Sequence, residues 1–173
     1  LSFFEEEVTR RASVNDYVLD LGTGRGYLAQ SLSKSFERVF AIDLSFEMLR
    51  LSKPSLYRIT AICASAFSLP IADNSFKIIV SSLADPFLIK ESLTEIFRVL
   101  TAEGVFVFSS PSRIWSVAIR NDNESSQTST RFTHSSGLEA EVFSFTYTDD
   151  ELRQLITSCG FIVESIETAY GKR

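Results

Sequence analysis

Residues 18–26 read Val18-Leu-Asp20-Leu-Gly22-Thr-Gly24-Arg-Gly26, and the order of residue types in that stretch decides the fold. An apolar run at 17–21 gives way to three near-adjacent glycines. Apolar positions then recur at Tyr27, Leu28, Ala29, Leu32 and Phe36, the spacing of one helical face. This is a strand handing over to a helix through a turn that excludes side chains. Glycines there permit positive φ and let a ligand approach the backbone with no Cβ in the way. The helix amides beyond the turn favour an anion. Glycine turns also serve plain strand-to-helix packing, so the loop alone does not decide function.

Outward from this stretch, short apolar runs alternate with helix-period segments. Strands are predicted at 38–43 and 57–63, with a short helix at 46–52 between them, stopped by Pro54. A fourth strand at 76–81 follows the turn residues Asp73-Asn74-Ser75. Asp85-Pro86 has the form of an N-cap with proline at the first helical position, opening a helix that runs to about Leu100. Gly104 restarts the chain as a fifth strand at 105–108. The order βαβαβ…βαβ predicts an α/β fold: a doubly wound, mostly parallel sheet with helices on both faces.

The remainder is less regular. A helical turn is expected at 114–119, and 121–137 is almost wholly polar, a loop or insertion near a binding face. Residues 142–147 alternate as an extra strand. Asp149 then caps a helix over 151–159, Gly160 stops it, and 161–167 reads as a last strand.

The 173 residues fit one domain, 1–173, with 1–13 as an N-terminal helix or lid. Hydrophobic residues make up 45% and charged residues 23%, which is globular rather than disordered. Seventeen basic against 22 acidic residues give a net charge of −5, which argues against an obligate nucleic-acid binder. Cys63, Cys159 and the single histidine, His134, are too few for a Cys/His zinc site, so no metal is expected. Both cysteines lie in apolar runs and read as buried free thiols, suited to a reducing compartment. No membrane span or signal peptide is visible, so a cytoplasmic domain is expected. The chain starts at Leu1 and reads as a trimmed piece of something longer.

Spacing discriminates between ligands. A dinucleotide G-x-G-x-x-G loop would place glycine at position 27, which is Tyr27 here. Instead an acid, Asp20, precedes the first glycine by two residues, where it would repel a pyrophosphate and favour a cationic amine. A second acid, Asp43, ends the second strand, where a carboxylate can take both hydroxyls of a ribose. A solvated strand end or a helix cap is the alternative for Asp43.

These residues resemble the class I, Rossmann-like, S-adenosylmethionine-dependent methyltransferases. The stretch from Ser68 to Phe76 resembles that family's approach to its fourth strand. Glu95-Ile-Phe-Arg98-Val-Leu-Thr-Ala-Glu-Gly104 resembles its "E-x-x-R-V-L-x-x-G-G" helix exit, and Asp150-Glu151-Leu152 through Gly160-Phe161 its late helix and strand.

The resemblance implies S-adenosylmethionine as cofactor, leaving as S-adenosylhomocysteine, and a methyl transfer to an O, N, C or S nucleophile. It also implies roles by position. Asp20 with Gly22, Thr23 and Gly24 would hold the methionine end, Asp43 the ribose, and Leu44, Ala66 and Phe67 the adenine. Ser82 and Leu83 would face the methyl group. Core packing is the alternative for Phe67 and Leu83. Ser65 stands where many relatives carry an acid toward the adenine amine, Lys77 where an aspartate is common, and Val105 where a second glycine is common. The family's antiparallel seventh strand has no clear counterpart after 168, unless 142–147 builds that edge.

No catalytic residue is assigned. His134 as a base is weighed against an exposed loop histidine, and Asp85 as an acceptor contact against a helix cap. Ile114, Trp115 and Ile119 suit an acceptor wall or the core equally. No Asn-Pro-Pro-Tyr-type motif follows the fourth strand, which argues against methylation of planar amides or exocyclic base amines; the acidic balance and compact size favour a small-molecule acceptor, with a protein acceptor as the alternative. A methyltransferase-like scaffold and a nucleotide-dependent oxidoreductase are the competing classes, and Tyr27 opposes the latter.

Overall fold

The strand expected at 17–21 forms as β1 (Tyr17–Leu21) and takes the centre of a five-stranded parallel sheet. Two strands, β2 (Arg38–Asp43) and β3 (Thr60–Cys63), extend it on one side. On the other side lie β4 (Phe76–Ser81) and β5 (Leu100–Phe108), giving the order β3-β2-β1-β4-β5. The structure is a computed structural model and describes residues 2–53, 57–120, 127–133 and 139–168.

A strand covered on both faces has no polar side to offer, which is why β1 and β4 are nearly all apolar. Val18, Ile78 and Val80 meet Phe4 and Val8 of α1 (Ser2–Arg11) on one face. Leu28, Ala29 and Leu32 of α2 (Tyr27–Leu32) join them there. Leu19, Leu21 and Ile79 face the other way, onto Ile96 and Val99 of α4 (Lys90–Val99). Burying side chains of this size stabilises by about 1.5–3 kcal/mol each. Between β2 and β3 runs α3 (Phe46–Ser52), capped by Ser45, whose hydroxyl accepts from the Met48 amide. The Glu95 and Arg98 of the helix-exit motif clamp a distant segment. Arg98 donates to the carbonyls of Leu69 and Ile71 and to Asp73, and Glu95 accepts from the Leu69 amide.

Several expectations at the element level are corrected. The helix expected from Tyr27 to Phe36 is α2 and stops at Leu32, although Phe36 still packs in the core, and β3 begins at Thr60 because Arg58 takes a left-handed φ of 54°. The fifth strand starts at Leu100. A register break between Phe76 and Ile78 absorbs the residues before Val105. Asp85 caps no helix: α4 begins at Lys90, and Asp85 is buried.

What Asp85 binds belongs to the segment expected to be an extra strand, and part of the stretch expected to be loop pairs with it. Residues 127–133 form β6 (Gln127–Thr133), antiparallel to β7 (Glu139–Phe145), so the segment at 142–147 is one arm of a hairpin outside the main sheet. Residues 121–126 and 134–137 of the polar stretch, His134 among them, lie outside the described residues. The Ser144 hydroxyl donates to the Asp85 carboxylate at 2.6 Å, and the Phe145 amide donates to the Asp85 carbonyl at 2.9 Å. Tyr147 adds a hydroxyl bond to the Leu88 carbonyl at 2.9 Å.

The helix expected near 114 is α5 (Arg113–Arg120). The last is α6 (Asp149–Ser158), capped by Thr148 and not by Asp149. Glu151 closes the capping box, and the acidic first turn complements the helix dipole. Residues 161–168 are in no ladder; Phe161 and Val163 pack inward while Ile162 points out, a strand-like alternation without strand pairing. Both cysteines are free, but Cys63 is exposed and Cys159 half-buried, because the edge strand β3 ends at the open rim of the sheet.

Asp85→Ala is expected to lower the unfolding free energy by about 2 kcal/mol, the scale of a hydrogen bond to a charged group. Asp85→Asn is expected to cost less. Urea unfolding of both variants measures this, and an unchanged midpoint for the alanine variant would contradict the docking role.

Candidate functional site

Because β1 is followed by β2 on one side and its other neighbour β4 by β5 on the far side, the connections at the carboxyl ends of β1 and β4 run in opposite directions. Such a switch point opens a crevice between neighbouring loops. The glycine loop fills the position directly above β1. Gly26, at φ 75°, precedes α2, and a Cβ there would lie 2.7 Å from Cβ of Ser52, so α3 excludes any side chain. Gly24, at φ 54°, has nothing within 4 Å of its Cβ position. That bare backbone faces open space.

Two carboxylates organise the loop from different levels. Asp20 lies beneath it, only 1% exposed. Its Oδ2 accepts from the Thr23 hydroxyl at 2.6 Å and from the Ala29 amide at 3.0 Å. It thereby ties strand, loop and helix together. Burial pushes its pKa up to about 6 against the pull of those two bonds, and the nearby Asp43 charge adds to the rise. Asp43 stands at the rim, where Oδ2 accepts from the Gly24 amide at 2.7 Å and Oδ1 from the Ser45 amide at 2.8 Å. The Gly22 and Thr23 amides both donate to the Ile42 carbonyl, at 2.8 and 3.0 Å, which stitches the loop to the end of β2.

The other residues singled out from the sequence line the same edge. Leu44 is 73% exposed, Phe67 47% and Leu83 61%, so none of the three is a core residue. Leu83 holds a left-handed φ of 64°, unusual for a branched side chain, and its amide donates to the Ser109 hydroxyl. Ser65 is half-buried and accepts from the Phe67 amide at 3.2 Å; Ala66 packs against the core and Ser82 is exposed.

A profile described as a methyltransferase domain matches residues 19–108, from the central strand to the end of β5. The chain belongs to that methyltransferase-domain family. A malonyl-[acyl-carrier protein] O-methyltransferase of Halorhodospira halophila is 36% identical over 99 residues, 53% of this chain and 34% of the relative. An arginine-hydroxylase of Danio rerio, NDUFAF5, is 33% identical over 116 residues, 61% of this chain and 36% of the relative. The chain thus spans about a third of the length of these relatives. Among solved structures, an S-adenosylmethionine-dependent methyltransferase of Mesorhizobium loti superposes with a TM-score of 0.71. That match has 19% identity and covers 96% of this chain and 82% of the other.

Within this methyltransferase domain, two departures from the family pattern fall where they disturb little. Lys77 is at the start of β4, far along the strand from the rim, and donates to the Glu103 carbonyl at 3.0 Å. Val105 pairs with Ile78 inside the sheet. Of the residues read as acceptor wall or core, Ile114 and Trp115 are exposed on α5 and outside the core; the Ile119 side chain is not among those described. The docking of Asp85 on Ser144, and the Ser109 bond to Leu83, had no signal in local sequence, since each partner lies 26 or more residues away.

The buried carboxylate gives the domain a pH signature. Asp20 holds its proton more tightly in the folded than in the unfolded chain. Its contribution to stability therefore rises as pH falls through about 6 and levels off below the ordinary carboxylate value of 3.8. Relative to Asp20→Asn, the parent chain is expected to gain roughly 2–3 kcal/mol between pH 7.5 and pH 4. Parallel urea-stability curves for the two proteins would refute this.

Proposed function

We propose that this domain binds S-adenosylmethionine along the carboxyl edge of the sheet and directs its methyl group to a nucleophile of a small-molecule acceptor. The observation that carries this is the corner made by Asp43 and Gly24. A rim carboxylate is bonded to the loop amide beside a backbone position with open space above it. Each carboxylate oxygen there accepts one bond from the chain and keeps a lone pair for a ribose hydroxyl.

In this reading Asp43 takes the ribose hydroxyls, and Leu44, Ala66 and Phe67 flank the adenine with Ser65 beside it. Gly22, Thr23 and Gly24 border the methionine end, where Asp20 acts from below by fixing the loop. Ser82 and Leu83 face the reacting methyl. When bound, the cofactor supplies a methyl group already activated on a sulfonium. The chain's own work is to align the acceptor in line with that methyl and to keep water out. No dedicated base is required, and none is assigned. The two free cysteines, one of them exposed, support a reducing, cytoplasmic location. No helix among the described residues is long and apolar enough to cross a membrane.

The match to an arginine-hydroxylase supports a second reading, in which the acceptor is a protein side chain and the chemistry differs from methyl transfer. Production of S-adenosylhomocysteine in the presence of an acceptor separates the two.

Calorimetric titration with S-adenosylmethionine, S-adenosylhomocysteine and NAD tests the cofactor assignment. The first two are expected to bind in the micromolar range. Asp43→Ala is expected to weaken them roughly tenfold to a hundredfold, as loss of charge-assisted hydrogen bonds does. Binding of NAD alone would turn the reading toward an oxidoreductase, and binding of none toward a scaffold.

A further inference from the structure

Ser81 closes β4, and its hydroxyl is fully buried without a hydrogen-bond partner among the described residues. Side chains alternate along a strand, so Ser81 shares the face of Ile79, the one covered by α4. A buried hydroxyl left unpaired is costly in a native fold and calls for an explanation. Directly beside it is Gly22, left-handed at φ 71°. A Cβ built on Gly22 would lie 3.9 Å from Ser81 Oγ and 2.9 Å from Cε1 of Phe87. The phenyl ring and the orphan hydroxyl therefore meet at the same bare backbone position of the loop.

The backbone of Phe87 is fixed by hydrogen bonds that do not involve its ring. Its amide donates to the Ala84 carbonyl, and its own carbonyl accepts from the Ile89 amide and the Ser92 hydroxyl. Rotation about its side-chain bonds leaves all three in place. The ring is half-buried, between the core beneath α4 and the cluster around α6.

The order of the strands says which end of a ligand would reach this spot. With the ribose at Asp43 and the adenine beside Leu44 and Phe67, the nucleoside lies over β2 and β3. The opposite end is then directed across the glycine loop toward β4. For the cofactor proposed above, that end carries an ammonium and a carboxylate, and a hydroxyl can accept from one or donate to the other. We propose that Ser81 is a binding residue for the amino-acid end of the cofactor and that the Phe87 ring is a cover displaced when that end enters. This assignment rests on the S-adenosylmethionine reading.

The test compares S-adenosylhomocysteine with 5′-methylthioadenosine, which keeps the nucleoside and lacks the amino-acid end. Ser81→Ala is expected to weaken S-adenosylhomocysteine roughly tenfold and leave 5′-methylthioadenosine unchanged. Thermal unfolding of the ligand-free variant is expected at the parent temperature or above it, since only an unpaired group has been removed. Equal weakening of both ligands, no weakening of either, or a destabilised free protein overturns the role of Ser81. Phe87→Ala is expected to tighten S-adenosylhomocysteine several-fold, and unchanged or weaker binding overturns the cover. If the parent chain binds neither nucleoside, the cofactor reading itself fails and takes this assignment with it. Loss confined to the contrast between the two ligands leaves the cofactor reading standing.

Discussion

A carboxylate buried at the end of the central strand governs the rest of the molecule. Asp20 is out of water, and that placement is tolerated because the Thr23 hydroxyl and the Ala29 amide are aimed at one of its oxygens. Those two bonds bend the chain back over the strand and start α2 in the correct direction. Once the loop is bent, its amides fall within reach of the Ile42 carbonyl and the Asp43 carboxylate. One desolvated acid thereby sets the geometry from which the second, half-buried acid gains its position. The division of labour is physical: the buried group shapes the site, and the rim group is left with capacity for a ligand.

The parallel sheet was legible because its central strands are covered on both faces and are mostly apolar, while the helices between the strands keep a 3.6-residue period. The glycine loop and Asp43 were legible because positive φ and a strand-end acid leave marks in local sequence. What local sequence could not show was long-range pairing. Asp85-Pro86 has the composition of a helix start, yet a buried partner at Ser144 outcompetes the cap. The polar stretch at 127–133 has no apolar face of its own and becomes a strand only because β7 lies opposite. Cys63 sits in an apolar run but ends the edge strand, where no neighbour covers it. The motif residues Glu95 and Arg98 were recognisable as a pattern, and only the fold shows that they brace the backbone at 69–73.

The hairpin of β6 and β7 is an addition to the five-stranded sheet. It is joined to the segment after β4 by the Asp85 bonds and to the start of α5 by Arg113, which donates to the Thr146 carbonyl and pairs with Glu151 of α6. The segment after β4, the start of α5 and the end of β7 are thereby tied to one another. Under the proposed function, acceptor choice falls to these added parts, which is why the sequence pointed to a cofactor class more readily than to an acceptor.

The strand order has a consequence for how the site comes into being. The β1–β2 corner pairs residues about twenty apart, such as Val18 with Val39. The β1–β4 ladder pairs Val18 with Ile78, across sixty positions. Long-range pairing pays its loop-closure entropy late in folding. The β1–β2 half of the crevice can thus form on a partly folded chain, whereas the crevice as a whole exists only after that last ladder closes. A ligand spanning both halves holds the ladder shut, and its binding free energy adds directly to the cohesion of the two halves of the sheet.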